Sequence, residues 1–467
     1  MAERQRTAIS FTIGLIVLLL IQIPAVEQSF LGGPDREMME TAFKLRTDVT
    51  GGTAEPVLFL DFDDRTLGTF SSAPFAAPPT TTPRAIVAEL LDFIRATPPP
   101  VTPRVVVLDV DIGQTTYPDD PGVKALLDAL THWAATPTAP PLIIVRQAYQ
   151  AASLGAPGRG LALPDTPYDS VVDPASNIFW STEKVLGDQN GVIREFLPFE
   201  CVSRKSGVIP LYSAALLAYQ FAERDQHVLD TAPARHWIPD GAAHCQSQPD
   251  VPLTRGERID YHISLGSTFA ERVWPNLSSR WPGFKVCGSS DTAIFRRLSV
   301  IDIHNAIIGG GDISRELLCQ HVVIIGGTSG IAGDFVQTPL SEMNGSVVLA
   351  NAIRGLELSH GGLRAIPLII QVFLLMFVSL AMSAAAVATK QARDRYRLLR
   401  RGRHKARLTQ RLGVIGLNPI IVNGIIALSA HLAGIALLTV SLNFGLWGFV
   451  SAPAFAAAIT ETVQEFF

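Results

Sequence analysis

Apolar residues crowd the two ends of this chain, and that uneven spread limits its folds more than any single motif. The first thirty residues and the last hundred carry long apolar runs, while the middle reads like a globular protein. Ile9–Val26 is eighteen largely apolar residues, enough to just cross a hydrocarbon core of roughly 30 Å. Three more runs follow at 366–389, 412–440 and 441–459. Arg4 and Arg6 precede the first run, and residues 390–411 hold ten Lys/Arg against one acid, Asp394. If all four runs cross a bilayer as helices, both basic segments fall on the cytoplasmic side, as membrane topology requires. The expected architecture is therefore α/β, with a mostly parallel-sheet extracytoplasmic domain plus four transmembrane α-helices. Its boundaries are an anchor at 1–29, the outer domain at 30–363, and three helices at 364–467 around the basic loop 390–411. The expected location is the cell membrane, with both termini cytoplasmic.

A cleaved signal peptide is the competing reading of the N-terminus, but the apolar run is long for one and no A-x-A site follows it. The basic loop reads as a topology determinant, with anionic membrane lipid as its alternative partner. Asn418, Asn423 and His431, at membrane depth in the third run, read as interhelical hydrogen-bonding groups. Few such polar groups leave a transporter without a pathway.

Residues 27–364 hold 26 basic and 38 acidic side chains, a net of −12. Such a mildly acidic domain has no electrostatic footprint for nucleic acid. All four cysteines, Cys201, Cys245, Cys287 and Cys319, lie in it. None forms a CxxC pair, so zinc is not implied. In an oxidising compartment they allow two disulfides in any of three connectivities; otherwise they are four buried thiols.

Within the central region, Pro56-VLFLDFDD, Val105–Asp109, Leu142–Arg146 and His321–Ile325 are short apolar runs of the buried-strand kind. Helices are expected at Pro34–Val49, Ala85–Ala96, Gly122–Ala134, Pro210–Arg224, Ile301–Ile308 and Ser346–Leu358. Strands are also expected near Ile178–Ser181 and Gly191–Leu197, while Asp225–Arg258 reads as loop. Strands alternating with helices predict a parallel sheet covered on both faces.

Asp61, Asp63 and Asp64 close one predicted strand, and Asp109 and Asp111 close the next. Ligands of open parallel sheets bind at the carboxyl ends of the strands, where such acids can hold a cation or a polar ligand. The same acids also cap helices and receive loop amides. Asp61-Phe-Asp-Asp-Arg-Thr66 approaches a phosphatase-type DxDx[TV] motif, but its spacing is one residue too long. Gly326-Gly-Thr-Ser-Gly330 fits no phosphate-loop signature and reads as a tight turn. No HExxH set or Gly-x-Ser-x-Gly elbow occurs, so neither enzyme, metal nor cofactor is implied.

The segments VLFLDFDDRTL, PRAIVAELLDFI, VVVLDVDIGQ and HVVIIGGTSGIAGDFVQTPLSEMNGSVVLANAI together resemble the CHASE2 domain, an extracytoplasmic sensory domain of bacteria. The likeness covers about residues 30–360, and MMETAFKLR resembles the helix that opens that family. It implies a sensor in signal transduction that binds a small ligand or partner protein outside, with a homodimer and a separate signalling partner as expected company. The candidate ligand residues are Asp61, Asp63, Asp109 and Asp111, together with Arg84 and Asp334 from the segments that carry the resemblance. Two departures stand out. SSAPFAAPPTTTP precedes Arg84 where relatives have a Trp/Pro-rich segment, and the expected chain ends without a catalytic output domain. The alternative is a structural or assembly subunit of a membrane complex. Ligand, partner, disulfide pairing and oligomeric state stay open at this level.

Overall fold

The computed structural model describes residues 2–21, 39–43, 57–71, 82–112, 121–150, 160–222, 241–247, 257–261, 295–309, 318–329, 335–358 and short stretches beyond 363, a few positions within these spans excepted. The chain forms two compact units, Val49–Gly362 and a second made of Met1–Asp48 with Leu363–Phe467.

The expectation of four membrane-crossing helices is overturned. Among the described residues, no helix is long and apolar enough to cross a membrane. Helix α1 (Ala2–Ile21) has 20 residues, but Glu3, Arg4 and Arg6 occupy its first turns and shorten its apolar part. In the last expected span, Leu446–Trp447 is a strand, paired in parallel with Arg364–Ala365. Hydropathy alone does not separate such a pairing from a helix turn. Of the second span little beyond residues 367–373 is described, and the third lies outside the described residues.

The unit Val49–Gly362 is built on a six-stranded parallel sheet. Strands β1 (Val57–Asp61), β2 (Val105–Asp109), β3 (Leu142–Val145), β6 (Ile178–Ser181), β12 (Phe295–Ser299) and β13 (Val322–Gly326) lie in the order β12-β1-β13-β2-β3-β6. Four of these strands are apolar without interruption because both faces of the sheet are covered. One face packs on α3 (Arg84–Arg95) and α4 (Pro121–Ala134), with α2 (Asp64–Ser71) and α7 (Val300–Ile308) beside them. The other packs on α5 (Ala214–Ala222) and α8 (Gly345–Leu358). In α3 the buried residues Ile86, Val87, Leu90, Leu91 and Ile94 recur at helical spacing and form one apolar stripe. Its first free amides, those of Ile86 and Val87, donate to the carbonyl of Pro83.

Beyond the sheet lie a four-stranded array, β10 (Gly207–Tyr212), β9 (Phe199–Arg204), β5 (Leu161–Ala162) and β4 (Tyr149–Gln150), and a three-stranded one of β11 (Glu257–Arg258), β8 (Ile193–Phe196) and β7 (Val185–Gly187). A bridge between Thr182 and Ser213 joins the end of β6 to the end of β10. Helix α6 (Gly241–Ser247) is fastened to β9 by a disulfide between Cys201 and Cys245. Cys287 and Cys319 lie outside the described residues.

The helix expected at Pro210–Arg224 begins later than the sequence suggests. Residues 207–212 pair with β9, Pro210 standing opposite Cys201, and the helix starts at Ala214. Asp225–Arg258, read as loop, contains α6 and β11.

Strand β13 ends on Gly326, which packs against Ser346 at the start of α8. A Cβ there would stand 3.0 Å from the Ser346 Cβ and 3.3 Å from the Phe59 ring. At Gly327 the nearest atom, the carbonyl oxygen of Phe62, would be 3.5 Å away. Gly326→Ala is therefore expected to destabilise by about 1–3 kcal/mol through overpacking, Gly327→Ala by much less. Adding Ser346→Gly should recover part of the Gly326→Ala loss in urea unfolding. Equal effects at the two glycines would contradict the packing account.

Candidate functional site

Parallel pairing brings the ends of β1, β13 and β2 into one row, Asp61 beside Gly326 beside Asp109. This is the carboxyl edge, where open α/β sheets take up ligands. Asp61 is fully buried. It accepts from Arg297 Nε at 2.5 Å, from the Thr328 amide at 2.8 Å and from Thr328 Oγ1 at 2.7 Å. Arg297 Nη2 also donates to Thr328 Oγ1 at 2.7 Å. Burial pushes the Asp61 carboxyl above the ordinary aspartate value, and Arg297 and Thr328 pull against that shift. The result is a closed triangle between β1, β12 and the turn after β13, joining residues 236 and 267 positions away from Asp61.

The neighbouring acids serve other partners. Asp63 precedes α2 and accepts from the amide of Thr66 at 2.8 Å and its hydroxyl at 2.7 Å, which makes it the helix cap. Thr66 Oγ1 in turn lies 3.1 Å from Ser299 Oγ and accepts from the amide of Ile301 at 3.2 Å, so α2 and α7 start from one polar knot. Asp64 accepts from Ser329 Oγ at 2.5 Å. Asp61, Asp63 and Asp64 thus point to three separate sets of donors, and none shares an oxygen site with another. Asp109 is half-buried and Asp111 exposed. Arg84 is half-buried at the start of α3. Asp334 lies outside the described residues.

A second polar cluster sits farther along the same edge, past β3 and β6, and sequence reasoning did not find it. Arg146 follows β3 and is only 2% exposed. Its Nη1 donates to Asp169 Oδ1 at 2.9 Å, and its guanidinium carbon stands 4.7 Å from the centroid of the Trp180 ring. Asp169 Oδ1 also accepts from Trp180 Nε1 at 3.0 Å and from Arg204 Nη2 at 3.2 Å. Its Oδ2 accepts from the amide of Thr166 at 2.7 Å and its hydroxyl at 3.2 Å. Burial lowers the proton affinity of Arg146, which Asp169 and, more weakly, Asp111 oppose. The one available signal was the charge that ends the run LIIVR, since an arginine closing a buried strand must find partners.

A cleft bordered by Val185, Phe196, Ser213, Val336, Val348 and Leu349 has a volume of about 60 Å³. That is room for a few water molecules and not for a metabolite.

Comparison with curated proteins and with solved structures gives no match. A family model for the CHASE2 domain matches residues 12–390. The match spans well over half of the chain and takes in every strand of the parallel sheet and both polar clusters at its carboxyl edge. The chain belongs to the CHASE2 family of extracellular sensory domains.

Proposed function

We propose that Val49–Gly362 is a non-enzymatic sensor that binds a small ligand or a partner protein outside the cytoplasm and passes the event to a separate protein. The observation that carries this reading is the Asp61 triangle. One buried carboxylate holds an edge strand and a sheet-end turn through side chains that a competing ligand can displace, because Arg297 is 35% exposed. A ligand that prefers the open arrangement shifts the balance by its difference in affinity for the two states, and by no more than that.

The test uses the chain isolated from its native cells together with the proteins it holds. Pools of small molecules are added while the melting temperature of the chain and the activity of the bound protein are followed. Sensing predicts at least one pool that moves both. A stoichiometric partner whose behaviour stays fixed while ligands bind would instead identify a structural or assembly subunit.

A further inference from the structure

Arg146 uses only part of its hydrogen-bonding capacity. Nη1 is taken by Asp169, whereas Nε and Nη2 are buried and have no partner among the described residues. These two atoms lie on one edge of the guanidinium and make the side-on fork that matches the two oxygens of a carboxylate. Leaving both donors unmet in a site that is 2% exposed is unfavourable, and such groups in folded proteins are normally met by a ligand, an ion or water. Asp169 is already occupied on both oxygens by Arg146, Trp180, Arg204 and Thr166. Arg204 and Asp169 contact the cluster directly and Asp111 acts on Arg146 from the end of β2, so two cations face two anions and the selectivity rests on the geometry of the open fork.

We infer that the Nε–Nη2 fork of Arg146 receives the carboxylate of a small organic acid. Trp180 covers one face of the guanidinium, and Arg204 and Asp169 beside it are each 28% exposed. This goes beyond the sensor reading, which is carried by the Asp61 triangle, to a second cluster on the same sheet edge, and rests on that reading only for its biological meaning; binding itself is tested apart from signalling.

The experiment is calorimetric titration of the full chain with acetate, propionate and succinate, and with inorganic phosphate and chloride as controls at equal ionic strength. At least one carboxylate should bind saturably. Arg146→Lys keeps the charge and loses the fork, and should weaken that binding about ten-fold or more. Asp169→Asn removes the competing internal anion and should tighten it several-fold. The second variant decides the matter if the first does not fold, because a purely structural Arg146–Asp169 pair predicts no tightening. Absence of binding by every carboxylate, unchanged affinity in Arg146→Lys, unchanged or weaker affinity in Asp169→Asn, or preference for phosphate would each overturn the assignment. Carboxylate binding that leaves the partner's activity unmoved would leave this site standing and detach it from the sensor reading.

Discussion

Asp61→Ala will destabilise Val49–Gly362 by about 3–5 kcal/mol, the range for breaking one side of a buried ion pair. The loss has two parts. The Thr328 amide and hydroxyl lose their acceptor at the turn after β13, and Arg297 loses its anion. Because Arg297 is 35% exposed, water partly solvates the orphaned cation, which places the expected value in the lower half of that range. Asp63→Ala is the control. It removes a helix cap and the acceptor of the Thr66 hydroxyl but orphans no charge, a loss of about 0.5–2 kcal/mol. Replacing Asp61 and Arg297 together with apolar residues should recover much of the single-variant loss, since no unpaired charge then remains. Urea unfolding at neutral pH reads all three. Equal losses at Asp61 and Asp63 would remove the triangle from its place in this account.

Opening the Cys201–Cys245 bridge is the second large effect. The cysteines are 44 residues apart in sequence, and closing a loop of that size stabilises by about 4 kcal/mol in the chain-entropy treatment, with 2–4 kcal/mol typical. The bridge ties α6 to β9, and β9 carries Arg204 three residues further on. Cys201→Ser and Cys245→Ser should therefore lower the unfolding midpoint equally, and the double variant no further than either single one. The midpoint of each variant should also become insensitive to reductant, when measured with Cys287 and Cys319 replaced by serine. Additive losses in the double variant would mean that the two sulfurs act separately.

The parts of the fold that the sequence made legible are those where burial is continuous. VLFLD, VVVLD, LIIV and VVIIG are covered on both faces and read directly as core strands of a parallel sheet. Edges were harder to read. Strand β12, FRRLS, carries two arginines in five residues because one of its sides is the open margin of the sheet, and nothing in its pattern marks it as a strand. Strand β10 was hidden by Pro210, which looks like a helix start but is tolerated here because β10 is the edge of its own array. The four apolar runs at the chain ends read as membrane helices by hydropathy, yet Leu446–Trp447 pairs as strand and no described helix meets the length and apolarity required.

The candidate site was legible in half. Asp61 and Asp63 are recognisable at a strand end, and Asp63 meets Thr66 three residues on, but the partners that fix the role of Asp61, Arg297 and Thr328, come from 236 and 267 residues away and leave no local trace. Arg146, Asp169, Trp180 and Arg204 come from four separate elements, and only the closed fold brings them together.

The location of the domain outside the cytoplasm is tested most directly by the redox state of its bridge in living cells. Cells carrying the chain with Cys287 and Cys319 replaced by serine are quenched in acid, and the denatured protein is alkylated with and without prior reduction. An extracytoplasmic domain predicts that Cys201 and Cys245 resist alkylation until reductant is added. Full alkylation of both thiols without reductant would put the domain in a reducing compartment and contradict the account.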